Sequence, residues 1–288
     1  MKILAGVVLY DPPASTIYLL QDLKAQGCEL CIVNNGMHVD QDVDSFVALV
    51  DYFLDPSENI GLASGLNAII CKFAAGTFRY LFLFDQDSQV DKTFVNNMII
   101  EYQNIASVDK SIVCLAPRIV DIKRPPSSLI AKLGNVIKSK KMLFLAAVTS
   151  GSLFIQASFS RVGLMDDRLF MDGIDHDWFL RAWQNNWSIY FSLEISLLHS
   201  VGDTFLEYRG SFKPLHDSPL RHYYIVRNSI FLILWKKLPL RWKLREIFKT
   251  FRRILAYPLL GSNHFLSLQM VLLGIFDGFL CKMGKASG

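Results

Sequence analysis

The chain has 288 residues, of which 51% are hydrophobic, enough to bury the core of one large domain or one and a half, and this composition excludes disorder. Its 30 basic and 26 acidic residues leave a net charge of +4, too little to mark a nucleic-acid binder, although the positive charge is unevenly placed. Five cysteines, Cys28, Cys31, Cys71, Cys114 and Cys281, are odd in number and offer no second paired cluster for zinc, so reduced, buried thiols and a cytosolic setting are expected.

The run Ile3 to Tyr10 is too short to span a membrane and is followed by Asp-Pro-Pro rather than a small-residue cleavage site, so it reads as a first strand and not a signal peptide. Asp11 as N-cap with Pro12 and Pro13 in the first turn predicts a helix whose face carries Ile17, Leu20 and Leu23. Gly27 stops it, and Cys28 and Cys31 straddle the next strand start rather than opening a helix, which argues against a redox role. Glu29 to Val33 is the second strand, closed by the polar turn Asn34, Asn35 and Gly36. Asp51 to Leu54 is a short third strand. This alternation predicts an α/β layered fold with a mostly parallel sheet.

Leu62, Leu66, Ile69, Ile70 and Phe73 share one helical stripe that ends at Gly76, with Asn59 as N-cap. Gly61 and Gly65 lie where small residues admit a ligand to the first-turn N–H groups. Packing explains the stripe but not the polar Asn59, Ser64 and Asn67 opposite it. Tyr80 to Phe84 is a near-continuous apolar run, the signature of a central strand covered on both faces. It runs into Asp85-Gln86-Asp87-Ser88, whose two carboxylates, at i and i+2 of an extended chain, converge. Such a pair repels unless a cation sits nearby, and hard oxygen ligands favour Mg2+ or Mn2+; two solvated turn aspartates are the plainer alternative.

A helix from about Thr93 to Ile105 and a strand Ser111 to Leu115 follow. Asp121 to Lys141, rich in Pro, Ser and Lys, reads as an excursion loop. Order returns at Met142 to Val148, with a strand Ser152 to Gln156 after Thr149, Ser150 and Gly151. From Asp175 a helix is expected, with Phe179, Ala182 and Trp183 on its face. Asp166, Asp167, Asp172, Asp175 and Asp177 crowd its entry, more acid than the helix dipole requires. Short strands on either side of Leu193 and Glu194 lead to His199-Ser-Val-Gly-Asp203, where a lone histidine becomes a candidate third metal ligand.

Taken together, GVVLYDPP, the NNG turn, ENIGLASGLNAI, LFLFDQDS, TSGSLF, LFMDGIDHDWFLRA, HSVGD and RHYYIVRN resemble, in order and over nearly the whole chain, the family 2 glycosyltransferases of GT-A fold, in their bacterial rhamnosyltransferase branch. The resemblance implies a metal site at Asp85, Asp87 and His199, with a catalytic base at Asp175. It implies donor contacts at Leu9, Tyr10, Asn34, Asn35, Asn59, Gly61, Gly65, Asn67, Asp85 and Gln86. It places Ser150, Gly151, Asp172, His176, Asp177, Trp178, Arg181, Arg221, Tyr224 and Arg227 on the acceptor side or behind it. Two positions depart from the pattern: Asn34 stands where many relatives have an aspartate, and Asp177 where a glutamate is usual.

The implied reaction is an inverting transfer from a nucleotide-diphosphate sugar, dTDP-rhamnose foremost and a UDP-hexose as alternative, to a polyprenyl-diphosphate-linked saccharide of bacterial O-antigen or capsule. A divalent cation would counter the charge on the leaving diphosphate. A haloacid dehalogenase-like phosphatase, with Asp85 as nucleophile, would carry its motif on the first strand, whereas here about eighty residues precede it; a noncatalytic assembly subunit is the other alternative.

Residues 1–215 are expected to form the catalytic domain, with a nucleotide-sugar half to about 118 and an acceptor half from about 142. Residues 216–288 are expected to form a helical extension. There Lys236, Lys237, Arg241, Lys243, Arg245, Lys249, Arg252 and Arg253 alternate with Trp242, Ile247, Phe248, Phe251, Ile254 and Leu255, read as one apolar side of a basic amphipathic helix on the cytosolic membrane surface. Phe265 to Cys281 is short and carries Gln269 and Asp277, so it is not expected to span.

Overall fold

Strands β1 (Ile3–Leu9), β2 (Glu29–Asn34), β3 (Tyr52–Leu54) and β4 (Tyr80–Phe84) all run parallel, in the order β3-β2-β1-β4. The computed structural model describes residues 2–36, 43–121, 148–199, 204–208, 211–215, 217–261 and 263–286, and for Asp121, His199 and residues 204–208 and 211–215 the backbone alone. The sheet continues through β6 (Ser152–Phe154) and β5 (Ile112–Asp121) to β7 (Ser188–His199); β6 is antiparallel to both its neighbours, and β5 and β7 pair in parallel. Two further strands, β8 (Thr204–Tyr208) and β9 (Ser211–Leu215), form a separate antiparallel ribbon.

Alternation along the central strands builds two cores. Leu81 and Leu83 of β4 face the core lined by α3 (Leu62–Ala75), α5 (Gln156–Val162) and α6 (Ile174–Gln184). Tyr80, Phe82 and Phe84 face the other, lined by α1 (Thr16–Ala25), α2 (Val43–Leu49) and α4 (Phe94–Val108). Both faces being covered, the apolar run of β4 matches its expected bounds.

Several local expectations need correction. The first helix begins at Thr16, not at Asp11, because a residue preceding proline is barred from the helical region, and two prolines in succession bar both Asp11 and Pro12. Asp11 instead takes φ 44° and donates its N–H to the Gly36 carbonyl at 3.1 Å. Asn59 does not cap α3; its Oδ1 accepts from the Gly61 N–H at 2.9 Å, and Gly61, at φ 85°, is the cap. Gln156 opens α5, a short helix that the sequence reading extended as strand. The two strands expected around Leu193 and Glu194 are one strand, with a register shift that takes residues 192–195 out of the ladder. The excursion loop 122–141, residues 142–147 and Ser200 to Asp203 lie outside the described residues.

The C-terminal helices are α7 (Pro219–Leu234), α8 (Leu240–Leu260) and α9 (His264–Phe279). Phe231, Leu232, Leu238 and Trp242 bury into the same core as Trp178 and Phe154, so this region shares the packing of the sheet. No helix among the described residues is long and apolar enough to cross a membrane.

Candidate active site

The chain leaves β1 for β2 on one side and later returns to place β4 on the other, so the topological switch point lies between the C-terminal ends of β1 and β4, where open α/β sheets bind ligands. A clasp marks the place. Gln86 accepts from the Tyr10 N–H at 2.9 Å and donates to the Tyr10 carbonyl at 2.8 Å, while the Thr16 hydroxyl donates to the Gln86 carbonyl at 2.9 Å.

Asp85 continues the alternation of Leu81 and Leu83, which carries it to the α6 side of the sheet. Beyond it the chain is no longer extended: the Ser88 N–H donates to the Asp85 carbonyl at 3.1 Å, so Asp85 and Asp87 share one turn rather than one strand face. Ser150, two residues before β6, locks that turn. Its hydroxyl accepts from the Asp85 N–H at 2.9 Å and meets the Ser88 hydroxyl at 2.8 Å, and Gly151, at φ 71°, donates its N–H to the Leu83 carbonyl at 2.7 Å.

Across the turn stands Asp175, in the first turn of α6. Desolvation first, then the charge of Asp85, hold its carboxyl far above the ordinary range, at about 8. A hydrogen bond from Thr149 opposes that shift and Asp172 adds to it. Thr149 is a partner that the sequence reading passed over, although it stands beside Ser150 in the TSGSLF motif.

The approach to Asp175 is backbone-strained, with Phe170 at φ 63°, Asp172 at φ 59° and Gly173 at φ 79°. Helix α7 holds it. The Asn228 amide donates to the carbonyls of Leu169, Met171 and Asp172 at 2.9, 2.6 and 2.8 Å. Arg227, fully buried, donates to the Leu169 and Gly284 carbonyls at 3.1 and 2.6 Å. Arg221 pairs with Asp172 at 3.2 Å, and Tyr224 stacks on Phe170 with ring centroids 5.1 Å apart.

Many of the expected site residues are thus engaged in holding the frame. Leu9 is fully buried in the core and accepts from the Asn35 N–H at 2.8 Å. Asn35 accepts from the Ile60 N–H and Asn34 from the Gly36 N–H. Asn67 bonds both the N–H and the carbonyl of Met165, 98 residues away. A Cβ on Gly65 would meet Val8 at 2.9 Å, and one on Gly61 would meet the Phe170 carbonyl at 2.8 Å, so close packing explains both glycines. The Ala63 N–H, in the first turn of α3, donates to that same carbonyl. Tyr10 keeps an exposed ring.

Behind Asp175, Asp177 is fully buried between Arg181, whose Nε donates at 2.8 Å, and Lys236, whose Nζ lies 2.7 Å from Oδ1 in an ion contact without hydrogen-bond alignment. Lys236 also reaches Asp166 at 2.7 Å, so it faces inward and not solvent. The indole N–H of the buried Trp178 donates to the Gly163 carbonyl at 2.9 Å. His176 packs edge-on against Trp242, and burial lowers its pKa against the opposing charge of Glu246.

Among the described residues no three of His, Cys, Asp and Glu gather closely enough to hold a metal ion. Asp85 and Asp87 share a turn, while His199 ends β7 with its side chain outside the described residues. The donor set nevertheless fits a hard divalent cation: two carboxylates in one turn supply oxygen ligands, and the repulsion between Asp85 and Asp175 is what a cation would relieve.

No protein-family model matches the chain. The structure resembles that of Staphylococcus aureus TarS residues 1–349, with a TM-score of 0.57 at 14% identity over 96% of this chain and 81% of that one. It also resembles GalNAc-T7 solved with UDP, GalNAc and Mn2+, with a TM-score of 0.55 at 15% identity over 82% of this chain and 48% of that one. The chain is a glycosyltransferase of GT-A fold. In sequence it is similar to the dTDP-rhamnosyl transferase RfbF of Shigella flexneri, 28% identical over 256 residues that span 85% of this chain and 84% of that protein.

Proposed function

We propose that the chain transfers a sugar from a nucleotide-diphosphate donor, with dTDP-rhamnose as the donor, to a hydroxyl of a lipid-linked saccharide at the cytosolic face of the bacterial plasma membrane, in the synthesis of O-antigen or capsule. The observation that carries this reading is Asp175: a desolvated carboxyl, held at about 8, facing Asp85 at the switch point. The S. flexneri relative supports the choice of donor.

Asp175 takes the proton of the acceptor hydroxyl as that oxygen attacks the anomeric carbon, and a base with a pKa near working pH suits this transfer. The bond from the anomeric carbon to the diphosphate oxygen breaks on the opposite face, and its electron pair leaves with the diphosphate. One displacement inverts the centre. Thr149 aims the base, and the Asn228 clamp keeps the strained approach to it. A divalent cation held by Asp85 and Asp87, with His199 as a third ligand, would offset the charge that develops on the diphosphate.

Incubation with dTDP-rhamnose or UDP-hexoses and lipid-linked acceptors, read by mass of the product, tests the reading. Rhamnosyl transfer by the native chain and its loss in Asp175→Asn are expected. Transfer from a UDP-hexose alone would overturn the donor, and full turnover by the variant would overturn the base.

A further inference from the structure

Helix α8 is built inside out. Its packed face carries Trp242, Glu246, Thr250 and Tyr257, all buried, and two of these are polar. Leu244, Ile247, Phe248, Phe251 and Leu255 are all exposed. At about 100° per residue these five fall in one arc of roughly 100° centred nearly opposite the packed face. This corrects the single apolar side expected from the sequence, since Trp242 turns inward while Phe248 and Phe251 turn out. Helix α9 repeats the arrangement: Ser267, Val271, Gly274 and Gly278 are buried, while Phe265, Leu268, Leu272 and Phe276 face out. A monomer rarely leaves so continuous an apolar surface uncovered.

The charge around this surface says what covers it. Arg241, Arg245 and Arg252 are exposed and flank the α8 stripe along one edge. From Lys236 to the last residue the sequence holds only two acids, Glu246 and Asp277. Both are turned toward the protein: Glu246 accepts from Arg253 at 2.7 Å, and Asp277 accepts from the Tyr223 hydroxyl at 2.8 Å. The exposed charge is therefore positive. A second copy meeting this face through its own would set arginine against arginine, whereas anionic lipid headgroups complement the flank and acyl chains the stripe.

We infer that the outward faces of α8 and α9 together form a docking surface for an anionic lipid bilayer, with the two helices lying in its plane. Trp242, on the opposite side of α8, packs against His176 next to the base, so the docked face lies directly behind the acceptor side of the site. The purpose of docking rests on the reading of a lipid-linked acceptor, but the binding itself does not.

Sedimentation of the full chain with vesicles, in the absence of donor and acceptor, tests it. Binding to equimolar phosphatidylcholine and phosphatidylglycerol is expected to exceed binding to phosphatidylcholine alone. Replacing Arg241, Arg245 and Arg252 by Gln should lower the partition coefficient on the order of a hundredfold, and Phe248→Ser with Phe251→Ser should lower it as well, with unchanged circular dichroism. Equal binding to neutral and anionic vesicles overturns the inference. So does a native chain that stays in the supernatant, or a dimer in analytical ultracentrifugation that the Phe pair dissolves while vesicle binding persists. Because no nucleotide sugar is present, an error in the donor leaves this result untouched.

Discussion

Asp175 is expected to weaken the fold in order to serve the reaction, and Asp175→Asn separates the two effects. Its carboxyl has an ordinary value of 3.8 and is held at about 8, so in the folded state it keeps a proton that the unfolded chain has already released. The sign follows from linkage: stability is fully present below about pH 4, falls as pH rises toward 8, and is level above that. At about 1.4 kcal/mol per pH unit, the loss is about 4 kcal/mol by pH 7 and about 6 kcal/mol by pH 9. The amide does not ionise and keeps an oxygen to accept from Thr149. Urea unfolding of native chain and variant at pH 5, 7 and 9, in a chelator, should therefore show a gap that widens with pH in favour of the variant. Added Mn2+ should narrow it by countering the field of Asp85. Transfer activity should fall by about 10²–10⁴-fold in the same variant. A gap that is constant from pH 5 to 9, or a native chain that is the more stable at pH 9, would refute the assignment of desolvation and Asp85 as the causes.

Asn228→Ala strips the Met171 and Asp172 carbonyls of their donor and leaves the Leu169 carbonyl to Arg227, and a loss of about 3 kcal/mol in chemical unfolding is expected; a loss well under 1 kcal/mol would mean that the loop holds itself. Lys236→Met leaves Asp177 buried against Arg181 alone and is expected to cost about 3–5 kcal/mol at neutral pH. Asp166, half-buried but held down at about 2 by Arg168 and Lys236, stabilises the fold above about pH 4 and loses that effect as pH falls toward 2. The Lys236→Met deficit should therefore shrink in acid, and a pH-independent deficit would argue against the ion contacts. Asp87→Ala should weaken Mn2+-dependent donor binding in calorimetry at least tenfold; unchanged affinity would remove Asp87 from the metal site.

What the sequence made legible was whatever depends on neighbours in the chain. β4 was readable because five consecutive apolar residues can only be buried on both faces, and the carboxylates after it because their place at a strand end does not depend on partners. α6 was readable from its acid-rich entry and from Phe179 and Ala182, but Trp183, expected on the same face, is exposed and Trp178 is the tryptophan that packs. What could not be read was whatever depends on residues far away. Nothing local shows that Asn67 is bound at both ends by Met165, or that Gln86 clasps Tyr10. Lys236 sits in a basic run, and only the placement of Asp166 and Asp177 turns it inward. The apolar residues of α8 scan as one amphipathic side because the sequence does not say which side meets protein.

The change in composition near residue 216 marks a change of environment, not a boundary of the site. Phe170, Asp172 and Gly173 hold left-handed conformations over four residues, an arrangement that costs on the order of 1–3 kcal/mol at each non-glycine position and lasts only where other contacts fix it. Those contacts come from Arg221, Tyr224, Arg227 and Asn228 on α7, and through Lys236 from the turn that follows it. Asp175 follows directly on that strained loop, so the direction of its carboxyl is set by the helix that also carries α8 and its outward apolar face. A chain that ended at β9 would keep the switch point, Asp85 and Asp87, yet would lose what aims Asp175 at them.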